Sequence, residues 1–219
     1  MTTTTLPSLI PFTPAFFERI WGGQAMAGHF GFPLPEGARI GEAWLVSDHP
    51  VHESVVQDGP LEGETLRALM QRDPRGLLGS VPVPAAEGRF PLLLKLLDAQ
   101  EDLSVQVHPD DHTAGQLGET DGGKTEAWHI LHAGRGCEII SGLEPGCTLE
   151  TFLKAAGEGD LEPHLRATPV AAGDSFFVPA GTVHAIGKGI LLAEIQQNSD
   201  LTYRIHDYNR PGPDGSPRP

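Results

Sequence analysis

Cysteine is scarce in this 219-residue chain: Cys137 and Cys147 are the only two. Two thiols make one disulfide at most and exclude a disulfide framework, so a reduced pair in the cytoplasm is the plain expectation. Long apolar runs are missing as well. No stretch approaches the roughly 20 residues that a membrane-spanning helix needs. The opening "MTTTTLPSLIPF" has neither a basic n-region nor a sustained apolar segment, and so does not read as a secretory signal. Basic residues are few, 15 against 29 acidic ones, for a formal charge of -14. Such a balance argues against nucleic acid or an anionic membrane surface as a partner, although a local basic pocket can still hold an anionic small molecule. No internal repeat is present, and low complexity is confined to the threonines at the start.

Glycine and proline, by contrast, are plentiful, at 27 and 20. They punctuate the chain into short apolar runs, which favours many short strands over long helices. "FPLLLKLLDA", "DLSVQVHP", "GKTEAWHILHA", "CEIISGL", "DSFFVPAGTVHAI" and "GILLAEIQQ" follow one another as strand-like segments. Further upstream, "GEAWLVSDHP" reads as a strand entering a turn. Helical spacing is found in "LEGETLRALMQRDPRGLLG", stopped at Asp73-Pro74, and in "LETFLKAAGEGDLEPHL". "VPVPAAEGRF", Val81 to Phe90, reads as a proline-rich loop. The expected class is all-β, a closed or sandwiched jelly roll with additional N-terminal strands and a few short helices.

In "LSVQVHPDD", Ser104, Gln106 and His108 alternate with Leu103, Val105 and Val107. On a strand the polar three share one face. Gln106 and His108 then supply two neighbouring donors, and a divalent metal needs at least three. Glu126 and His184, on other strand-like segments, are the candidates to complete the set. "AAGDSFFVPAGTVHAIG" strengthens His184, because an aspartate turn, an aromatic strand and Pro-Ala-Gly before a histidine is how a cupin-type barrel presents a ligand at its mouth. The other histidines read as surface or hydrogen-bonded residues. His129 lies an odd number of positions from Glu126, hence on the opposite face. His108 and His112 have helical spacing, but Pro109 and the preceding strand pattern argue against that pairing.

Several motifs in order resemble the type I phosphomannose isomerases of the cupin superfamily: "IWGG", "GEAWLVSDHP", "FPLLLKLLDAQEDLSVQVHPDD", "GKTEAWHIL", "PAGTVHAI" and "EIQQNSDLTYRIHDY". The resemblance runs from about Ile20 to Tyr208. It implies a zinc ion on Gln106, His108, Glu126 and His184, the same four reached from strand alternation. It also implies Lys124 and Arg204 at the reacting carbons, with Lys95 and Ser104 facing the phosphate of a hexose 6-phosphate. The implied reaction interconverts mannose 6-phosphate and fructose 6-phosphate in the cytoplasm, moving a proton between C1 and C2 through an enediol. Read without the resemblance, Lys124 is a solvated lysine after a Gly-Gly turn, and Lys95 an edge lysine protecting a sheet.

Family members commonly continue into a second cupin-type barrel, whereas this sequence stops at Pro219 in a linker-like stretch. The expectation is one catalytic domain over residues 1–219, with its barrel core at about 90–205 and without the second barrel. A non-catalytic, metal-dependent sugar-phosphate-binding module is the rival reading. A metal oxygenase is a third, since affinity order alone leaves iron, manganese and cobalt open.

Overall fold

The computed structural model describes residues 6–81, 88–208, 210–211 and 215. The threonine run, most of the Val81–Phe90 loop and most of the stretch after Tyr208 therefore lie outside the described residues. In chain order the strands are β1 (Ala15–Gly23), β2 (Ile40–Val46), β3 (Asp48–His49), β4 (His52–Glu53), β5 (Leu92–Ala99), β6 (Val105–Val107) and β7 (Glu126–Ala133). They continue with β8 (Glu138–Leu143), β9 (Leu165–Pro169), β10 (Ser175–Val178), β11 (His184–Ile186), β12 (Ile190–Gln197) and β13 (Tyr203–His206). The helices are short: α1 (Ala25–Phe30), α2 (Leu66–Arg72), α3 (Pro74–Leu78), α4 (Asp111–Leu117) and α5 (Leu149–Glu158).

Two antiparallel sheets face each other, ordered β1-β2-β5-β12-β7-β10 and β13-β6-β11-β8-β9. The expected all-β jelly-roll architecture is what the chain adopts. "DSFFVPAGTVHAI" divides between the sheets, because Pro179 and the positive-φ Gly181 turn the chain from β10 to β11. The N-terminal strands β1 and β2 extend the sheet beyond β5.

Between the sheets lies the main apolar core, with Trp21, Leu97, Trp128, Ile130, Ile139, Ile186 and Leu192. A second cluster covers the outer face of the five-stranded sheet, where Phe152 and Ala155 of α5 pack with Val105 and Ala185. This split follows from strand alternation. Val105 and Ala185 turn outward to α5, so Gln106 and His184 turn inward. α5 begins at Thr148, whose side chain accepts from the Thr151 amide, and ends at the left-handed Gly159.

Helix α2 ends at Asp73, as the Asp-Pro pair predicts, but Asp73 also caps α3, with Pro74 in its first turn. Several short elements escape the sequence reading, among them α1, β4, β9, β13 and α4, the last capped by the Asp110 side chain. Each is seven residues or fewer, too short for periodicity to declare. Cys137 and Cys147 are both free, as expected. Among the described residues no helix is long and apolar enough to cross a membrane.

Candidate active site

The strand register draws the candidate ligands together. His184, first residue of β11, pairs directly with Gln106 on β6, and Gln106 pairs with Arg204 on β13. Directly paired residues share a face, so Arg204, Gln106 and His184 form one inward row. Glu126 enters from the opposite sheet as the first residue of β7. His108 follows β6, where its carbonyl accepts the Gly181 amide at 2.7 Å, tying the two ligand-bearing turns together.

One ligand atom from each of His108, Glu126 and His184 lies within 4.8 Å of the others. His108 Nε2 is 3.3 Å from Glu126 Oε1, and His184 Nε2 is 3.7 Å from Glu126 Oε2. All three side chains are buried, yet both ring nitrogens of His108, Nε2 of His184 and Oε1 of Glu126 lack a well-directed hydrogen bond. Orphaned buried polar atoms are costly. Two imidazoles and a carboxylate converging this way suit a divalent metal such as zinc. His184 Nδ1 stands 2.9 Å from the Thr182 carbonyl, which places the ring proton there and leaves Nε2 with a lone pair for a metal.

Burial and the neighbouring charge on Lys124 push His108 down to about 4, against the pull of Glu126. Burial lowers His184 as well. Both rings are thus held neutral, the form that binds metal. Burial alone would raise Glu126, but Lys124, His108 and His184 together hold it well below the usual carboxylate range. Lys124 Nζ is 3.1 Å from Glu126 Oε1. Burial would lower this ammonium, yet Glu126, Glu194 and Asp200 hold it above its ordinary value. The solvated-lysine alternative fails, since Lys124 is only 5 % exposed. Gly123 explains its placement: a Cβ there would stand 2.3 Å from the Asp111 amide, so only glycine lets this loop lie on the start of α4.

Lys95 occupies a central strand, between β2 and β12, and is 4 % exposed. The edge-lysine alternative is therefore excluded. Its ammonium lies 3.7 Å from Glu42 Oε2, 3.6 Å from Asp200 Oδ1 and 4.8 Å from the centre of the Trp44 ring. Across the six-stranded sheet, Trp44, Lys95, Glu194 and Trp128 stand side by side in register. The Trp128 indole N–H donates to Glu194 Oε1 at 2.9 Å and to Glu126 Oε2 at 3.1 Å. Burial and the Glu126 charge push Glu194 up to about 8. Burial would also raise Glu42, but Lys95 and Arg19 bring it down to about 2. Ser104 accepts from Arg204 Nε at 3.3 Å.

Glu42, Glu194, Trp128 and Asp200 were not anticipated as part of this site. For Glu42 and Glu194 the signal was the wrong residue type at a core position: Glu194 and Gln196 share the parity of inward Leu192 in "ILLAEIQQ". His129 is exposed and bonded to Ser175 Oγ, on the face away from Glu126 as alternation requires. His112 lies exposed on α4.

Residues 9–133 match the family model of the phosphomannose isomerase type I catalytic domain. The chain belongs to that family. It is 45% identical over 207 residues to a putative mannose-6-phosphate isomerase of Bacillus subtilis, YvyI, covering 94% of this chain and 63% of the relative. The mannose-6-phosphate isomerase ManA of the same organism is 47% identical over 208 residues, with the same coverage. The crystal structure of a mannose 6-phosphate isomerase from Bacillus subtilis superposes with a TM-score of 0.87 at 44% identity, over 96% of this chain and 65% of that one. This type I phosphomannose isomerase chain thus spans under two thirds of the length of these relatives. A zinc-bound mannose 6-phosphate isomerase at 18% identity and a TM-score of 0.69 shares the fold.

Proposed function

We propose that the chain is a zinc-dependent aldose-ketose isomerase acting on mannose 6-phosphate and fructose 6-phosphate. The observation that carries this reading is the company the ligands keep. His108, Glu126 and His184 converge as orphaned donors, and a buried ammonium, Lys124, and a guanidinium, Arg204, face the same space. Binding alone has less need of both cations.

Gln106, His108, Glu126 and His184 would hold the ion, with Gln106 placed beside His184 by the β6–β11 register. When bound, zinc supplies a Lewis acid that polarises the sugar oxygens near C1 and C2. Arg204 offers a fixed cation to the oxyanion that develops as the proton leaves carbon. Lys124 stands where it can exchange a proton with the substrate. It does so as an acid in its ground state, because the carboxylates around it favour the ammonium. Lys95 and Ser104 hold the phosphate in this reading. Ser104 is already oriented by Arg204, and a phosphate reaches Lys95 by replacing the partly exposed carboxylate of Asp200. Burial of these side chains between two sheets strengthens each of these charge interactions.

The test is metal analysis of protein purified without added metal, then kcat/KM for mannose 6-phosphate and free mannose on the same sample. Stoichiometric zinc with isomerisation of mannose 6-phosphate is expected. In Lys95→Ala the preference for the phosphorylated sugar should shrink by roughly 10-fold to 150-fold, the worth of one charged hydrogen bond. Binding of the sugar phosphate to fully zinc-loaded wild type with no isomerisation would instead establish a binding module.

A further inference from the structure

His49 and Asp121 lie outside the metal site and touch none of its proposed ligands, yet they are joined tightly. His49 is 3 % exposed. Its Nε2 stands 3.1 and 3.2 Å from the two carboxylate oxygens of Asp121. The Val51 amide donates to His49 Nδ1 at 3.2 Å, so Nδ1 is the acceptor and the ring proton sits on Nε2, aimed at Asp121. The ring itself is seated edge-on against Trp44, with centroids 5.9 Å apart.

Asp121 precedes Gly122-Gly123-Lys124, so it sits at the root of the loop that delivers Lys124 and Glu126. Its Oδ2 also accepts the backbone amide of Asp200 at 2.8 Å. Asp200 belongs to a different loop, the one leading from β12 to Arg204. A second stitch runs parallel: the buried Ser199 hydroxyl donates to the Gly122 carbonyl at 2.9 Å and accepts the Leu201 amide at 3.3 Å. The two loops therefore carry opposite parts of the site, and a single carboxylate fastens both to a histidine of the N-terminal segment.

We propose that Asp121, seated on His49, is a positioning residue that sets the placement of Lys124 relative to Asp200 and Arg204. The proposal rests on the isomerase reading for its kinetic consequence, though not for its geometry. A mostly buried carboxylate held by two donors, the His49 ring across both oxygens and the Asp200 amide on one, has little freedom to move. Two glycines follow it; the Gly123 and Lys124 amides are held from the α4 side by Asp111 and the Pro109 carbonyl, and Asp121 fixes where the loop begins relative to Asp200. A displacement of about 1 Å at a reacting group costs on the order of 100-fold in rate.

Four variants and two readouts decide the matter. Asp121→Ala and His49→Ala should each lower kcat for mannose 6-phosphate by about 10-fold to 100-fold, with KM within about threefold and zinc content unchanged. The double variant should be no worse than either single one, because both remove the same link. His49→Gln, whose amide can donate from the place of Nε2, should recover most of kcat; a role in stability alone would lower active protein without splitting kcat from KM. The second readout is amide hydrogen exchange, which needs no catalysis. Asp121→Ala should speed exchange at Gly123 and Lys124 and, across the stitch, at Asp200 and Leu201 as well. Full kcat in Asp121→Ala, additive losses in the double variant, or faster exchange confined to the loop of Asp121 would each overturn the proposal. Were wild type inactive, the isomerase reading would fail, and the exchange experiment would still decide the positioning claim.

Discussion

Glu126→Gln removes one charge from the most densely charged point of the interior, and its cost can be worked from the distances. Glu126 and Lys124 stand 3.1 Å apart, both almost fully buried. At an effective dielectric of about 20 that separation corresponds to an attraction of about 5 kcal/mol. Glutamine keeps the shape but only one oxygen, which can accept from Lys124 or from Trp128 and not from both, and it strands the ammonium. Removing one partner of a buried pair typically costs about 3–5 kcal/mol. The low end applies here, since the carboxylates of Glu194 and Asp200 also act on Lys124. The metal-free variant should therefore lose about 3 kcal/mol in urea unfolding, followed by the emission of the buried tryptophans with a chelator present. Adding Lys124→Met should recover most of that loss, leaving the double variant within about 1 kcal/mol of wild type, because no buried charge is then left without its partner. Zinc should raise the unfolding midpoint of wild type and leave that of either variant nearly unmoved. A loss below about 0.5 kcal/mol for Glu126→Gln, or a double variant weaker than the single one, would refute the reasoning.

Two further outcomes follow from the same geometry. Arg204→Ala should lower kcat/KM by about 10²–10³ with bound zinc unchanged, and Arg204→Lys should restore only part, since a point charge lacks the planar fork; loss of zinc or retention of full activity would show that the role is wrong. His108, held at about 4 against an ordinary 6.5, refuses a proton that the unfolded chain accepts. Its contribution to metal-free stability is thus complete above pH 6.5 and is lost as pH falls toward about 4, by about 3 kcal/mol. Unfolding of wild type and His108→Gln at pH 7, 5.5 and 4.5 checks this: the wild-type curve should fall more steeply, and parallel curves would contradict it.

The local pattern of residues already determined a good deal. Alternation put Ser104, Gln106 and His108 on one face and sent His129 away from Glu126, because a strand's side-chain period is two whatever lies beside it. Pro and Gly marked the turns, and Asp73-Pro74 marked the end of a helix, through steric restrictions that act within a few residues. The resemblance of ordered motifs pointed to the family and to the four candidate ligands. Tertiary structure alone decided what depends on which strand lies next to which. Lys95 between leucines reads equally as an edge residue or a core one. Only the order β2-β5-β12 seats it beside Glu42 and Glu194. His49 looked like any surface histidine until the fold brought Asp121, 72 residues away, against its ring. Neither the Trp128 bridge between Glu126 and Glu194 nor the upward push on Glu194 exists in the extended chain, where each carboxylate has its own water. Charges titrate by their neighbours in space, and those neighbours are chosen by strand pairing between distant segments.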